Sequence, residues 1–404
     1  MCIRDSGMPS FNKILDAVSQ AYINRPDEIL GAAEQVVTAI TNMATPQAHA
    51  GELSAVTLNQ ADDSIKENFD QINGGFGNAP KFPQPMVLEY LLKHHHRTGN
   101  QDALNMVEST LTNMARGGIY DQIGGGFHRY STDRHWLVPH FEKMLYDNGF
   151  LAKLFLDMFQ ATKQEIYREV AEQIFCWIER EMTSKVGTFF SSQDADRDGK
   201  EGTYYTWELR EVLNLLGPKH AKVFSSAYGM TPKGQLDGRN VLNVNMKVES
   251  LAEVDNIPIF VADHILKKGK ETLFQEREKR SRPPTDEKII TSWNGLMITA
   301  LAAGHAVLGD EKYIKAATRC AEFIWSQQWK DGKLHRIFKD GQTRIAGCLE
   351  DYAYFLEALV TLYETSMQSE WITKARQLAD AMIEDFREEK EGGFFLSAKS
   401  GERM

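Results

Sequence analysis

Apolar residues recur every three to four positions along most of the chain, the spacing of a helix that buries one face. Three segments carry the same stripe in register. Aligned on Tyr167, Tyr313 and Trp371, they place Ala171, Ala317 and Ala375 four residues on, then Ile174, Cys320 and Leu378, then Ile178, Ile324 and Met382. Nineteen residues before each aromatic stands Asn148, Asn294 or Tyr352, each just after Asp147, Trp293 or Asp351. Those positions open a second helical run, over 148–160, 294–308 and 352–366. Gly-led turns follow at Gly187, Gly332 and Gly392-Gly393. A weaker first copy covers 84–130, with helices over 85–97 and 102–115 separated by Thr98-Gly99-Asn100. Four αα-hairpins stacked side by side predict an all-α toroid or solenoid of helical hairpins, with its polar loops gathered at one end.

Two regions fall outside the repeat. Residues 10–40 carry two amphipathic runs broken around Asn24-Arg25-Pro26, followed by a polar linker over 41–58. Residues 203–285 interrupt the second and third hairpins, with short helices expected at 206–216 and 218–228, a turn at 234–238 and a charged helix at 258–281. Insertions of this length decorate a scaffold's mouth and help shape its site. Residues 1–7 match nothing downstream and read as a non-native start.

Composition narrows the function classes. With 42% hydrophobic and 25% charged residues, the chain can bury a globular core. Its net charge of −10 argues against a grip on nucleic-acid backbones. No run of about 18 apolar residues is present to span a membrane. The four cysteines form no C-x-x-C pair and no metal-ligand spacing, so a reducing, cytoplasmic setting is expected, without a metal or cofactor. Cys176 and Cys320 fall on apolar stripes and read as small buried hydrophobes.

The densest chemical signal lies between Gly117 and Asn148. Its five glycines surround Asp121, His128, Arg129, His140, Glu142, Lys143 and Asp147. Two histidines facing one pocket could move a proton near neutral pH, so His128 and His140 are candidate acid and base. Asp194-Ala-Asp-Arg-Asp-Gly resembles the start of a calcium loop, but Tyr205 stands where the bidentate Glu is required. The loop instead offers Asp194, Asp196 and Glu201 to the same face. Glu142, Asp194 and Asp196 are the carboxyl candidates for catalysis. At equivalent junctions, Trp293, Asn294, Asp351 and Tyr352 sit where hairpins converge. With Tyr204, Asp121 and Arg129 they are candidate substrate-binding groups, the aromatics as stacking faces for a sugar-like ligand. Asn and Asp there could equally be helix N-caps.

Gly74-Gly-Phe-Gly-Asn-Ala-Pro-Lys-Phe-Pro83, the Gly-rich His loop through Asp147-Asn148, Asp194-Ala-Asp196, Thr291-Ser-Trp-Asn-Gly-Leu-Met297 and Glu350-Asp-Tyr-Ala353 resemble the YyaL / spermatogenesis-associated protein 20 family from about residue 8 onward. The resemblance implies an N-terminal thioredoxin-like domain, absent from this chain, followed by an (α/α)6 barrel similar to six-hairpin glycosidases and N-acylglucosamine 2-epimerases. It makes residues 8–58 the helices and linker after that domain. Residues 59–404 become a partial barrel, with about four of six hairpins and the insertion at 203–285. The expected function is carbohydrate binding or processing, first as epimerase- or isomerase-like proton transfer by the pocket histidines. A glycosidase-like carboxylate pair, or a non-catalytic partner-binding barrel, are the alternatives. The expected partner is a small carbohydrate; oligomeric state is not legible.

Overall fold

The computed structural model describes residues 9–44, 54–197, 199–389 and 392–399. The unusual start and much of the polar linker lie outside the described residues. The chain divides into two units, residues 1–59 and 60–404. The first holds α1 (Phe11–Asn24) and α2 (Pro26–Ala44), broken where Pro26 opens the second helix. The apolar stripe Phe11, Leu15, Val18 and Tyr22 stays exposed. A third helix, α3 (Ala55–Glu67), starts within the stretch expected to be linker and runs across the boundary between units.

Four hairpins fill the second unit. The first pairs α4 (Pro85–Thr98) with α5 (Gln101–Arg116). The second pairs α6 (Leu145–Thr162) with α7 (Glu165–Trp177), which continues as a π-helical turn over Ile178–Met182. The insertion follows as α8 (Leu209–Ala227), α9 (Val248–Val254) and α10 (Ile259–Arg277). Then come α11 (Thr291–Leu308) with α12 (Glu311–Gln327), and α13 (Leu349–Ser366) with α14 (Ser369–Phe386). The first helices of the hairpins, α4, α6, α11 and α13, stand side by side as an inner layer, and their partners cover them outside. This is the arrangement of an (α/α)6 toroid. Among the described residues no helix is long and apolar enough to cross a membrane.

The hairpin repeat is realised residue by residue. Tyr167, Tyr313, Trp371, Ala171, Ala317, Ala375, Ile174, Cys320 and Leu378 are all buried. Cys176 departs from the expectation and is exposed, since its neighbours Phe175 and Trp177 take the inward directions. Gly295 lets α11 and α13 approach, because a Cβ there would lie 2.8 Å from the Tyr354 backbone. Each inner helix after the first begins three residues before its apolar stripe, at Leu145, Thr291 and Leu349. In the insertion, α8 is two helices that meet at Gly217, whose φ of +72° and ψ of 163° are non-helical, which matches the break expected between 206–216 and 218–228. The short α9 is an addition, and a separate core forms around Trp207, Phe224, Leu251 and Leu273. The Gly-led turn at Gly332 is present, and a β-hairpin, Lys333–Lys339 with Gln342–Ala346, follows it and pairs with Ile289–Ile290.

Two polar devices hold the inner helices' starts. At the fourth residue of α6, the Asn148 amide accepts from Phe127 N and donates to the carbonyls of Phe127 and Met144. Asn294, at the fourth residue of α11, repeats this with Phe189 and Ile290. At the same position of α13, the Tyr352 hydroxyl accepts from Leu334 N at 2.9 Å. Each clamp ties an inner helix to the turn that follows the preceding outer helix.

The second device is a buried ion pair that the sequence repeats. Phe69-Asp-Gln-Ile-Asn-Gly-Gly-Phe76 and Tyr120-Asp-Gln-Ile-Gly-Gly-Gly-Phe127 fold as the same loop. In the first, Lys81 Nζ donates to Asp70 Oδ2 (2.8 Å) and to the Gly74 carbonyl. In the second, Lys143 Nζ donates to Asp121 Oδ2 (2.8 Å) and to the Gly125 carbonyl. The lysines lie near the Trp136 and Trp177 rings. Gly126 turns with φ +80°, and a Cβ there would fall 2.8 Å from Trp177. Each lock has a second cation: half-exposed Arg134 donates to Asp70 Oδ2 at 3.2 Å, whereas buried Arg277, from the end of α10, donates to both Asp121 oxygens at 2.8 and 2.9 Å. Removing a carboxylate from two buried cations leaves uncompensated charge. Asp121→Ala is therefore expected to cost at least about 3–5 kcal/mol in urea unfolding at pH 7. A loss below about 1 kcal/mol would show that the lock is not a structural anchor.

Candidate active site

The first turns of α6, α11 and α13 meet at one end of the inner layer. Tyr146 packs edge-on against Trp293 at 4.8 Å. Ser292 N donates to Asp351 Oδ1 at 3.0 Å. The junctions expected to converge therefore touch. Their third residues, Asp147, Trp293 and Asp351, point to three different uses.

Asp351 is fully buried and saturated. Besides Ser292, it accepts from Arg336 at 2.9 Å and from Cys348 N at 3.1 Å. Trp293 is half-buried at the rim. Asp147 is buried, and its Oδ2 has no hydrogen-bond partner among the described residues. Burial raises its carboxyl to about 8 against the pull of nearby Arg129, and the negative charge of Glu142 adds to the rise. At neutral pH Asp147 holds a proton.

Around it runs a polar chain supplied by the Gly-rich loop. Arg129 bonds Tyr146 and donates to Glu142 Oε2 at 3.0 Å. His140 Nε2 lies 3.6 Å from Glu142 Oε2, and its Nδ1 lies 2.8 Å from Glu201 Oε1. Hydrogen bonding to Glu142, then to Glu201, raises His140 to about 9, so it is an imidazolium at neutral pH. The same bond to His140, with Arg129, holds Glu142 below the usual carboxylate range. Tyr130 stacks on His140 at 5.0 Å. One neutral carboxyl thus stands beside one ionised carboxylate, the split that acid–base chemistry uses.

Several expected site residues lie elsewhere. His128 is buried, with Nδ1 on the Phe141 carbonyl at 2.9 Å. Burial, then the charge of Lys143, lowers it to about 3. The cavity beside it measures about 10 Å³, room for one water. His128 and His140 therefore do not share a ligand pocket. Asp121 belongs to the buried lock: burial alone would raise its carboxyl, but Arg277 and Lys143 hold it well below the usual range. Tyr204 is buried, bonding Glu278 and lying under Arg277. Asn294 and Tyr352 are consumed by the clamps, which removes them as ligand contacts. Asp194 is exposed and accepts from Ala195 N at the start of its own turn. Asp196 pairs in register with Glu201 on the two-residue strands Asp196–Arg197 and Lys200–Glu201, at the rim.

Asp147 and Glu201 stand out in the sequence as part of the polar loops, yet the pattern assigns neither of them a catalytic or binding role. Asp147 carries a legible signal, since it occupies the repeat position of Trp293 and Asp351. The sign of its titration gives a test. A carboxyl raised from 3.8 to about 8 costs stability as pH climbs between those values, because unfolding releases its proton. Asp147→Asn removes that cost while keeping the shape. Its gain in Tm over the parent is expected to be larger at pH 8 than at pH 5; a gain independent of pH would show that Asp147 is ionised in the fold.

No family model matches the chain. Spermatogenesis-associated protein 20 from Homo sapiens is 35% identical over 96% of the chain, and the Mus musculus protein of that name 33% identical over 96%. A glycoside hydrolase family 76 mannosidase from Bacteroides thetaiotaomicron shares the fold at 11% identity and a TM-score of 0.53, over 87% of this chain and 76% of its own. The chain spans about half the length of the curated relatives it matches, 55% and 54%. With the motifs now placed at the inner-helix starts, the chain belongs to the family of spermatogenesis-associated protein 20.

Proposed function

We propose that this barrel processes carbohydrate by acid–base cleavage of a glycosidic bond, with Asp147 as proton donor and Glu142 as the carboxylate partner. The observation that carries it is the Asp147 carboxyl, buried, protonated at neutral pH and unpartnered at Oδ2, beside a carboxylate kept ionised by His140 and Arg129. Asp147 delivers its proton to the leaving oxygen as the bond to the anomeric carbon breaks. Glu142 stabilises the positive charge that develops there and takes up a proton from water, or bonds the sugar directly. Trp293 offers a stacking face, and Arg129 with Asp196 offers groups for hydroxyls. The solved mannosidase of like fold supports a glycan as the substrate class.

This reading replaces the paired-histidine isomerase. That mechanism needs a neutral imidazole base, and His140 is held protonated by two carboxylates. The test is reducing-sugar release from a panel of mannosides and glucosides, with a parallel assay for sugar isomerisation. Hydrolysis should fall about 10²–10⁴-fold in Asp147→Asn and in Glu142→Gln, and in the parent should decline above pH 8 as Asp147 ionises. Hydrolysis surviving both substitutions, or isomerisation without bond cleavage, would rule the proposal out. Binding without turnover would favour the partner-binding alternative.

A further inference from the structure

On the outer layer α7 and α12 part beside Phe189, the residue that Asn294 clamps. The gap opens where α7 gives way to the π-helical turn Ile178–Met182, whose Ile178 carbonyl is taken by the Thr183 hydroxyl at 2.8 Å. Single π-turns inside helices recur at functional sites, because the extra residue pushes the wall outward. Here it borders a cavity of about 260 Å³. The floor is apolar: Phe175, Ile178, Phe189, Leu301 and Tyr313 all line it and are buried, with the Phe175 and Tyr313 rings 4.8 Å apart. Nothing in the acid–base site uses this space.

The rim is cationic on one side. Lys312, Lys315 and Arg319 follow one another along a single face of α12, with Ala316 leaving the gap between them. Lys312 and Lys315 pair with Asp310 (3.1 Å) and Glu311 (2.6 Å), both at the exposed start of the helix, where ion pairs exchange readily. Arg319 makes no ion pair among the described residues and reaches across Gly187, whose added Cβ would meet its Nε at 2.1 Å. Glu179 faces them from the other wall. An apolar floor below a row of cations fits a ligand with an apolar tail and an anionic head. The volume lies below the roughly 300–1,000 Å³ of sites for drug-sized molecules, so the ligand is small.

We propose that the α7–α12 groove binds a small amphipathic carboxylate, its acyl chain on Phe175, Phe189 and Tyr313 and its carboxylate on Arg319 and Lys315. Titration calorimetry of the whole chain with butanoate, hexanoate and octanoate tests it, with octanol as the uncharged control. Affinity is expected to rise about fourfold per added methylene and to drop at least tenfold for octanol. Arg319→Glu, an exposed change, should weaken octanoate at least tenfold, and Ala316→Trp should abolish binding by filling the groove. Circular dichroism melting checks that both variants fold. A flat chain-length series, equal binding of octanol, or octanoate affinity unchanged in both folded variants would overturn the site.

Discussion

The buried contact of Asp121 with Lys143 and Arg277 joins three separate parts of the chain through charge. Asp121 lies in the Gly-rich loop after α5, Lys143 just before α6, and Arg277 at the end of the insertion. A buried carboxylate with two cations is stable only if every partner is in place. The lock therefore fixes the loop that carries Arg129, His140 and Glu142, and it sets where α6, with Asp147, begins. It also helps to dock an 83-residue excursion, 203–285, alongside the Phe141, Tyr205 and Val241 cluster and the bond from Val244 N to the Arg116 carbonyl. The acid–base groups sit on the solvent side of this anchor and inherit its rigidity.

That placement explains why charge is divided so unevenly among neighbouring carboxyls. Asp121 and Asp351 each have buried or half-buried basic partners and backbone donors, and they serve structure. Glu142 has His140 and Arg129 at the rim, so it remains ionised yet reachable. Asp147 has burial without a dedicated cation, so it keeps its proton. Position along the hairpin repeat is the same for Asp147 and Asp351; Arg336 bonds Asp351 directly, whereas Arg129, two residues after the clamped Phe127 as Arg336 is after Leu334, bonds Glu142 and Tyr146 instead.

The helical scaffold was legible in the sequence because a stripe at helical spacing states directly what must be buried, and three stripes in register state a repeat. The helix starts were less legible. Asp147, Trp293 and Asp351 precede the apolar stripe, and their polarity reads as loop although the backbone is already helical. The eight-residue repeat at Phe69 and Tyr120 was also there to be read, yet alignment on helical stripes passes over loops. Roles inside the Gly-rich loop were not legible, because burial and partners decide them: His128 and His140 look alike in sequence, but His128 is enclosed against the Phe141 carbonyl and aromatic rings while His140 lies between Glu142 and Glu201. The insertion's α9 was missed because seven residues carry too little periodicity.

The amide clamps at Asn148 and Asn294 and the phenol at Tyr352 fix each inner helix through its fourth residue. The third residue, one step earlier and turned by about 100°, takes no part in the clamp itself. Successive copies can carry an acid, an indole or a salt-bridged carboxylate at that position without disturbing the ring. Diversity of side chain and constancy of architecture are thus assigned to adjacent residues, the clamp being kept while the position before it takes a protonated acid, an indole or a salt-bridged carboxylate.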